Sequence, residues 1–324
     1  MRRILTIDGG GLKGTVPAAF LAAMEEQIER PLYEYFDLIV GTSTGGIIAA
    51  GLAMGMPARD ILRIYENDGP RIFPTTNWLS EKLVSLTGLL HAKYPTAVLR
   101  TTLTEHFQEK VIGDARTRLV IPSWSPTEQT VYVWKTRHCG RFRFDHKRSI
   151  VEALVSTASA PTYFASSRKN GGTGLIDGGV WANNPMLIAA VEALGVLKWE
   201  ATSVHMLALG CIEEDFVPPA DGGLFRWAFA AAPLFLQGQS RSSLASTCLL
   251  LDDRGNPPER LFRIEPSAPK DYFKLDGAKG IPELKDIGAG LARRWLQKLQ
   301  PVFFTAPITP FVPLPDDAPD SAIA

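Results

Sequence analysis

The 324-residue chain is short of several things, and each shortage removes a class of function. It has three cysteines, Cys139, Cys211 and Cys248. Odd in number and far apart, they suit neither a disulfide framework nor a metal cluster, and a reducing cytoplasm fits them. It has no surplus of either charge, with 34 Lys+Arg against 34 Asp+Glu. No global field therefore favours a nucleic acid polymer or an acidic partner. Long hydrophobic runs are missing too. The longest uncharged apolar stretches, about residues 47–56 and 228–236, fall well below the roughly 18 residues of a membrane span. The N-terminal Met1-Arg2-Arg3-Ile4-Leu5-Thr6-Ile7-Asp8 breaks off too early for a signal-peptide core. Internal repeats and low-complexity tracts are absent. The expectation is a cytoplasmic protein that meets lipid only peripherally.

What is there is an ordinary globular composition, 45% hydrophobic and 21% charged, enough for a sizeable core. Its most telling stretch is Phe36–Ala50, which runs through Gly41-Thr42-Ser43-Thr44-Gly45. It reads as a short apolar strand, a glycine-bounded turn with Ser43 at its tip, and a small-residue helix. This is the G-x-S-x-G arrangement, in which glycines leave room for a sharp strand-to-helix turn that exposes a serine hydroxyl. A helix starting at Ser43 also aims free N–H groups towards that hydroxyl.

In chain order, Arg3–Asp8 reads as a buried parallel strand followed by Gly9-Gly10-Gly11-Leu12-Lys13-Gly14 and a helix from about Val16 to Glu29. The Ser43 strand and elbow follow, then a helix over Ala58–Glu66. This β-loop-α-β-elbow-α order predicts an α/β protein whose parallel sheet is covered by helices on both faces. Residues 69–96 are irregular and read as a lid excursion, with a return helix near Ala97–Lys110. Strands are predicted at Arg118–Ile121, Thr130–Lys135, Ser203–Leu209 and Arg260–Ile264. Helices are predicted at Ser149–Ser156 and from Asn184-Pro185 onwards, Asn184 being the N-cap. Three units result: a catalytic core over 1–212, a helical C-terminal extension over 213–304 packed on the core, and a flexible Pro/Asp-rich tail over 305–324.

A serine hydroxyl is a weak nucleophile and needs a base and donors for the oxyanion. The glycine loop offers bare backbone N–H groups, and Lys13 adds charge. If the first two strands are neighbours, loop and elbow share the C-terminal edge of the sheet, where ligands bind. The same Gly9-x-Gly11-x-x-Gly14 also satisfies the dinucleotide fingerprint. However, Glu29, Glu34 and Asp37 all miss the strand tip where its ribose-binding acid belongs. For the base, Ser43, Asp177 and His205 could form a triad in α/β-hydrolase order, yet His205 falls inside a strand. His91, His106, His138 and His146 have no motif around them. Asp177 closes a strand before Gly178-Gly179, and a two-residue Ser43–Asp177 dyad needs no histidine.

Gly9–Gly14, Gly41–Gly45 and Asp177-Gly178-Gly179, in this order, together resemble the patatin-like phospholipase family. That family pairs a glycine-rich oxyanion loop with a G-x-S-x-G serine and a D-G-[AG] aspartate. Ala153–Phe164 and Asn183-Asn184-Pro185 also look like its pattern, and the resemblance covers about residues 3–210. Lys13 stands where the family commonly has arginine. The resemblance implies a three-layer α/β/α fold with a central, mostly parallel sheet. It implies a Ser43 nucleophile, an Asp177 base, and an oxyanion hole drawn from Gly9, Gly10, Gly11, Lys13 and Gly14. Gly41, Thr42, Thr44 and Gly45 would form the elbow. Neither cofactor nor metal is implied, and the substrate would be a membrane phospholipid ester.

The whole architecture, an N-terminal catalytic core with a compact C-terminal extension, is similar to patatin-like effectors of cyclic-oligonucleotide antiphage systems. Those are phospholipases switched on by a cyclic dinucleotide, acting peripherally at the inner membrane. Gln239, Arg241 and Arg254 are candidate ligand contacts for such an activator. The apolar stretch Leu224–Leu236 reads either as an interfacial patch or as a helix buried in the core or in a homodimer or higher oligomer. Competing readings are a constitutive lipid acyl hydrolase, a thioesterase-like esterase, and a nucleotide-binding module built on the Gly9–Gly14 loop.

Overall fold

The computed structural model describes residues 1–74, 92–166, 174–215, 221, 223–253 and 259–324. Its strands are β1 (Arg2–Ile7), β2 (Leu38–Gly41), β3 (Arg118–Ser125), β4 (Thr130–Lys135), β5 (Ile176–Asp177), β6 (Val204–Leu209), β7 (Glu213–Glu214), β8 (Leu261–Ile264) and β9 (Ser267–Ala268). Seven of them form one sheet in the order β4-β3-β2-β1-β6-β8, with β5 pairing on β3. From β3 to β8 that path is parallel; β4 and β5 run antiparallel to β3.

The helices are α1 (Thr15–Glu25), α2 (Thr44–Ala53), α3 (Ala58–Arg63), α4 (Gly69–Ile72), α5 (Thr96–Phe107), α6 (Ile150–Thr157), α7 (Gly179–Ala182), α8 (Met186–Val191), α9 (Leu224–Leu250) and α10 (Ile281–Phe303). Successive side chains of a strand point to opposite faces, so the central strands feed two cores. Leu5, Ile7, Ile39, Leu207 and Leu209 join the core under α1, α2, α3, α5, α6 and α10. Ile4, Leu38, Val40, Val204, Met206 and Ala208 face the second core, with Met186, Ala189 and Ala190 of α8 and Leu251 after α9. This is the α/β fold with helices on both faces that the β-loop-α-β order predicts.

Several elements depart from expectation, for physical reasons. α3 does not stop near Glu66 but passes through a wide π turn at Ile64–Asp68 into α4, so the first residues of the expected excursion are helical. Within that excursion, residues 75–91 lie outside the described residues. α9 is one helix through Pro233 and through the polar stretch at Gln237–Arg241. The extension over 213–304 is not only helical, and the strand expected at Arg260–Ile264 is present as β8. β8 extends the main sheet beside β6, in register Met206↔Leu261 to Leu209↔Ile264. The amphipathic face of α10 lies on α1, which places Leu299 and Phe303 in the core.

The segment 305–324, expected to fray, is instead laid along the body. The buried Arg137 guanidinium donates to the carbonyls of Leu314, Pro315 and Asp316, and Gly140 N–H bonds Ala322 O. Prolines cannot donate, but their carbonyls remain good acceptors for a five-donor arginine. Among the described residues no helix is long and apolar enough to cross a membrane.

Candidate active site

β2 ends at Gly41 and α2 begins at Thr44, so two residues turn the chain at the C-terminal edge of the sheet. Ser43 takes φ 54° and ψ −125°, a left-handed conformation that costs a non-glycine residue energy and must be held by its surroundings. They do hold it. A Cβ on Gly45 would lie 2.4 Å from the carbonyl oxygens of both Ile7 and Asp8, so only glycine lets the elbow press against β1. The Ser43 N–H donates to Thr157 Oγ1 at 3.0 Å, and the Thr157 hydroxyl donates on to Pro122 O at 2.6 Å. Thr42 bonds Ala182 O at 2.6 Å. The Thr44 carbonyl accepts the Tyr65 hydroxyl at 2.9 Å, from within the π turn.

Ser43 Oγ donates to Asp177 Oδ2 at 2.7 Å across 134 residues of sequence. Asp177 Oδ1 accepts the Gly179 N–H at 2.6 Å, and the Asp177 N–H bonds Ser159 O at 3.1 Å. One stretch at the end of α6 thus holds both residues, through the Thr157 hydroxyl and the Ser159 carbonyl. Both side chains are buried. Burial pushes the Asp177 carboxyl up to about 6, and the hydrogen bonds from Ser43 and Gly179 hold it from rising further. The result is a carboxylate that is ionised at neutral pH and more basic than an exposed one, as a proton acceptor for a hydroxyl needs to be.

No described histidine reaches this pair. His205 is opposite Arg3, near the N-terminal end of β6, whereas the serine lies past the C-terminal ends of the strands. Its Nδ1 is 3.4 Å from Ser203 O, which excludes the Ser43–Asp177–His205 triad. His106, His138 and His146 bond Asp68, Glu192 and Asp316. His91 lies outside the described residues.

The glycine loop sits beside the elbow. Gly9 N–H bonds Asn183 O at 3.1 Å, Leu12 N–H bonds Leu275 O at 2.7 Å, and Gly10 N–H makes a longer bond of 3.3 Å to Thr44 Oγ1. Gly11 has φ 57°, and among the described residues its N–H has no hydrogen-bond partner. The N–H groups of Gly10 and Gly11 are therefore the ones a ligand oxygen could reach, while Gly9 is committed to holding the loop. Lys13 does not add charge to the dyad, because its ammonium forms an ion pair with Glu214. Gly14 backs onto the Tyr65 ring. With the N–H groups of Gly9, Leu12 and Lys13 tied to backbone carbonyls, the loop is a poor phosphate cradle, which weighs against the nucleotide-binding reading.

Serine, aspartate and Gly9–Leu12 line a cavity of about 790 Å3, within the range of small-molecule sites. Ile47, Tyr65, Phe73, Leu99 and Phe164 give it an apolar interior, and Val180, Phe235 and Leu236 form an exposed apolar rim. Two of the three candidate activator contacts are described, both on α9. Gln239 of α9 accepts the Asn183 N–H at 2.6 Å and donates to Gly179 O at 3.3 Å, beside Asp177. Arg241 forms an ion pair with Glu213, and Arg254 lies outside the described residues.

Reading the sequence missed the roles of Thr157, Ser159, Asn183, Tyr65 and Leu275. Thr157, Ser159 and Asn183 lie in stretches that carry the family pattern, but only the Thr157 hydroxyl was an available signal, because Ser159 bonds Asp177, and Asn183 bonds the Gly9 N–H and Gln239, through backbone groups. Leu275 acts through its carbonyl, for which no residue type is a sign.

A family model described as patatin-like phospholipase matches residues 5–190. The chain is 32% identical over 308 residues to a cGAMP-activated phospholipase of Pseudomonas aeruginosa, covering 90% of this chain and 88% of that protein. A cGAMP-activated phospholipase of Escherichia coli is 33% identical over 228 residues, 66% of this chain and 63% of that one. Patatin-like protein 2 of Oryza sativa subsp. indica is 31% identical over 217 residues, 58% of this chain and 52% of that one. VipD from Legionella pneumophila is similar at 12% identity and a TM-score of 0.42, covering 88% of this chain and 67% of that one, too distant to argue from. Fold, glycine loop, elbow and relatives agree: the chain belongs to the patatin-like phospholipase family.

Proposed function

We propose that this protein hydrolyses acyl esters of membrane phospholipids through an acyl-enzyme on Ser43, and that a cyclic dinucleotide switches it on. The observation that carries the hydrolase reading is the 2.7 Å Ser43–Asp177 hydrogen bond, held at a strained φ beside the Gly10 and Gly11 N–H groups at an apolar cavity. Ser43 Oγ attacks the ester carbonyl carbon as Asp177 takes its proton. The oxyanion forms against the N–H groups of Gly10 and Gly11, the Gly10 N–H exchanging its long bond to Thr44 for the stronger charged acceptor. Collapse breaks the carbon–oxygen bond to the lysophospholipid alcohol, which leaves with the proton from Asp177. Water then attacks the acyl-Ser43, giving Asp177 a proton, and the fatty acid leaves as Ser43 recovers it.

The gating part is supported by the two bacterial relatives named cGAMP-activated, one of them aligned over 90% of this chain. Gln239, bonded to Asn183 and Gly179 beside the dyad, gives α9 a direct line to the site. A lipid bilayer is the partner met at the apolar rim, through peripheral contact. The test is fatty-acid release from phospholipid vesicles with and without cyclic dinucleotides, alongside fluorophosphonate labelling. Release and labelling are expected in the wild type and lost in Ser43→Ala. Release by purified Ser43→Ala at the wild-type rate would overturn the hydrolase reading; equal rates with and without nucleotides would overturn the gate alone.

A further inference from the structure

The glycine loop is held from outside the stretch that the family model matches. Lys274–Gly277 is a tight turn, closed by Gly277 N–H to Lys274 O at 3.1 Å, and its two central residues do different things. The Leu275 carbonyl accepts the Leu12 N–H at 2.7 Å and lies 2.3 Å from where a Cβ on Gly11 would sit. It therefore presses directly on the left-handed residue whose N–H is free. The neighbouring Asp276 faces the opposite wall. Its carboxylate, 10% exposed, accepts the Tyr94 hydroxyl at 2.8 Å and forms an ion pair with Lys93.

Lys93 and Tyr94 are in turn fixed to the cavity's aromatic side. Their N–H groups bond the carbonyls of Thr162 and Tyr163 at 2.9 and 2.8 Å. The Tyr94 ring meets Phe73 edge-on at 5.2 Å, and the Lys93 ammonium lies 5.8 Å from the Tyr163 ring. Phe73, Tyr163 and Phe164 line the cavity. Two consecutive residues thus join its two walls. We infer that Asp276 is a positioning residue for the oxyanion loop, anchoring the turn whose Leu275 carbonyl sets Gly11 and Leu12 to the Lys93–Tyr94 strap on the aromatic wall. The inference rests on the reading of Ser43 and the loop given above. An exposed ion pair would be worth little, but this carboxylate is nearly enclosed and shared by two donors.

The test uses the full chain, a soluble short-chain ester and a fluorophosphonate, whose phosphoryl oxygen must occupy the oxyanion hole as it labels Ser43. Removing a whole oxyanion donor costs about 100–1,000-fold, so a loosened loop in Asp276→Ala is expected to lower kcat about 10–100-fold. KM is expected to stay within about threefold, since ground-state binding to the apolar cavity is untouched. Labelling slows by the same factor as kcat. Lys93→Met gives a smaller loss, and the double variant is no worse than Asp276→Ala alone, as residues acting through one contact are non-additive. Wild-type kcat and labelling in folded Asp276→Ala would overturn the inference, as would a loss that only tracks a fall in the folded fraction. If Asp276→Ala does not fold, Tyr94→Phe carries the test: kcat reduced with KM kept supports the inference, and an unchanged kcat overturns it. Ser43→Ala separates the two levels. Turnover by that variant defeats the hydrolase reading, whereas a dead Ser43→Ala beside a fully active Asp276→Ala defeats only the positioning role.

Discussion

Asp177→Asn should make the protein more stable and inactive at once, and the two effects come from the same burial. The carboxyl is raised from 3.8 to about 6, chiefly because ionising it in a buried site is unfavourable. Two pKa units correspond to about 3 kcal/mol of native-state destabilisation. The sign follows from the raised folded value. Below the unfolded pKa both states carry the proton and there is no cost. The cost grows as pH rises towards 6 and is complete above it. Asparagine is close in shape, can still accept the Gly179 N–H and can bond Ser43, so it removes the charge without leaving a hole. At pH 8 the variant should therefore gain about 3 kcal/mol. For a chain of this length, with an unfolding entropy of about 0.7 kcal/mol/K, that is about 4 °C in Tm. Urea melts of both proteins from pH 4 to 8 should show the gap closing as pH falls below 6. Esterase kcat should drop at least about 10,000-fold with the base removed. Wild-type kcat/KM should itself rise with pH, with its midpoint near 6. An Asp177→Asn protein that melts below the wild type at pH 8, or keeps a tenth of its activity, would refute the reasoning.

Other perturbations probe the supports of the loop. Gly11→Ala would force a side chain to φ 57° and towards the Leu275 carbonyl, so kcat should fall about 100-fold or more. Burst kinetics with an activated ester should show a slowed acylation, and an unaltered burst would contradict the assignment. Arg263→Met would leave Asp8, the residue before the loop, as a buried carboxylate without the guanidinium that grips both its oxygens at 2.8 and 2.5 Å. Denaturant melts should show a loss of about 3–5 kcal/mol. Adding Asp8→Asn should restore part of it, and a double variant as unstable as the single one would count against the pairing.

Much of the site was legible because its chemistry is local. A serine at the tip of a strand-helix turn needs small neighbours, so Gly41 and Gly45 announce it. A loop that offers bare N–H groups needs glycines, and Asp177 needs a turn with free backbone beside it. His205 was readable in the same way, since a residue inside a strand could not lie on the loops past the C-terminal strand ends. What stayed hidden acts through groups every residue has, or through partners far along the chain. The Leu275 carbonyl, the Ser159 carbonyl and the Asn183 backbone have no side-chain signature. Lys13 read as a charge for the oxyanion because nothing local names Glu214, 201 residues away, as its partner. The tail read as loose because composition counts its prolines and misses a buried arginine that collects the carbonyls of Leu314, Pro315 and Asp316.

By itself, then, the sequence determined the α/β class and singled out Ser43, Asp177 and Gly9–Gly14 as the candidate nucleophile, base and oxyanion loop. The class follows from side-chain periodicity, and the candidates from short glycine-marked motifs and the family resemblance they carry together. Only the tertiary structure decided which loop N–H groups remain free, where Lys13 spends its charge, and that β8 and the turn at Leu275–Asp276 complete the sheet and the site. Those outcomes depend on contacts between segments hundreds of residues apart. Such contacts are selected by how two covered sheet faces close around one cavity, and no short stretch of sequence contains that information.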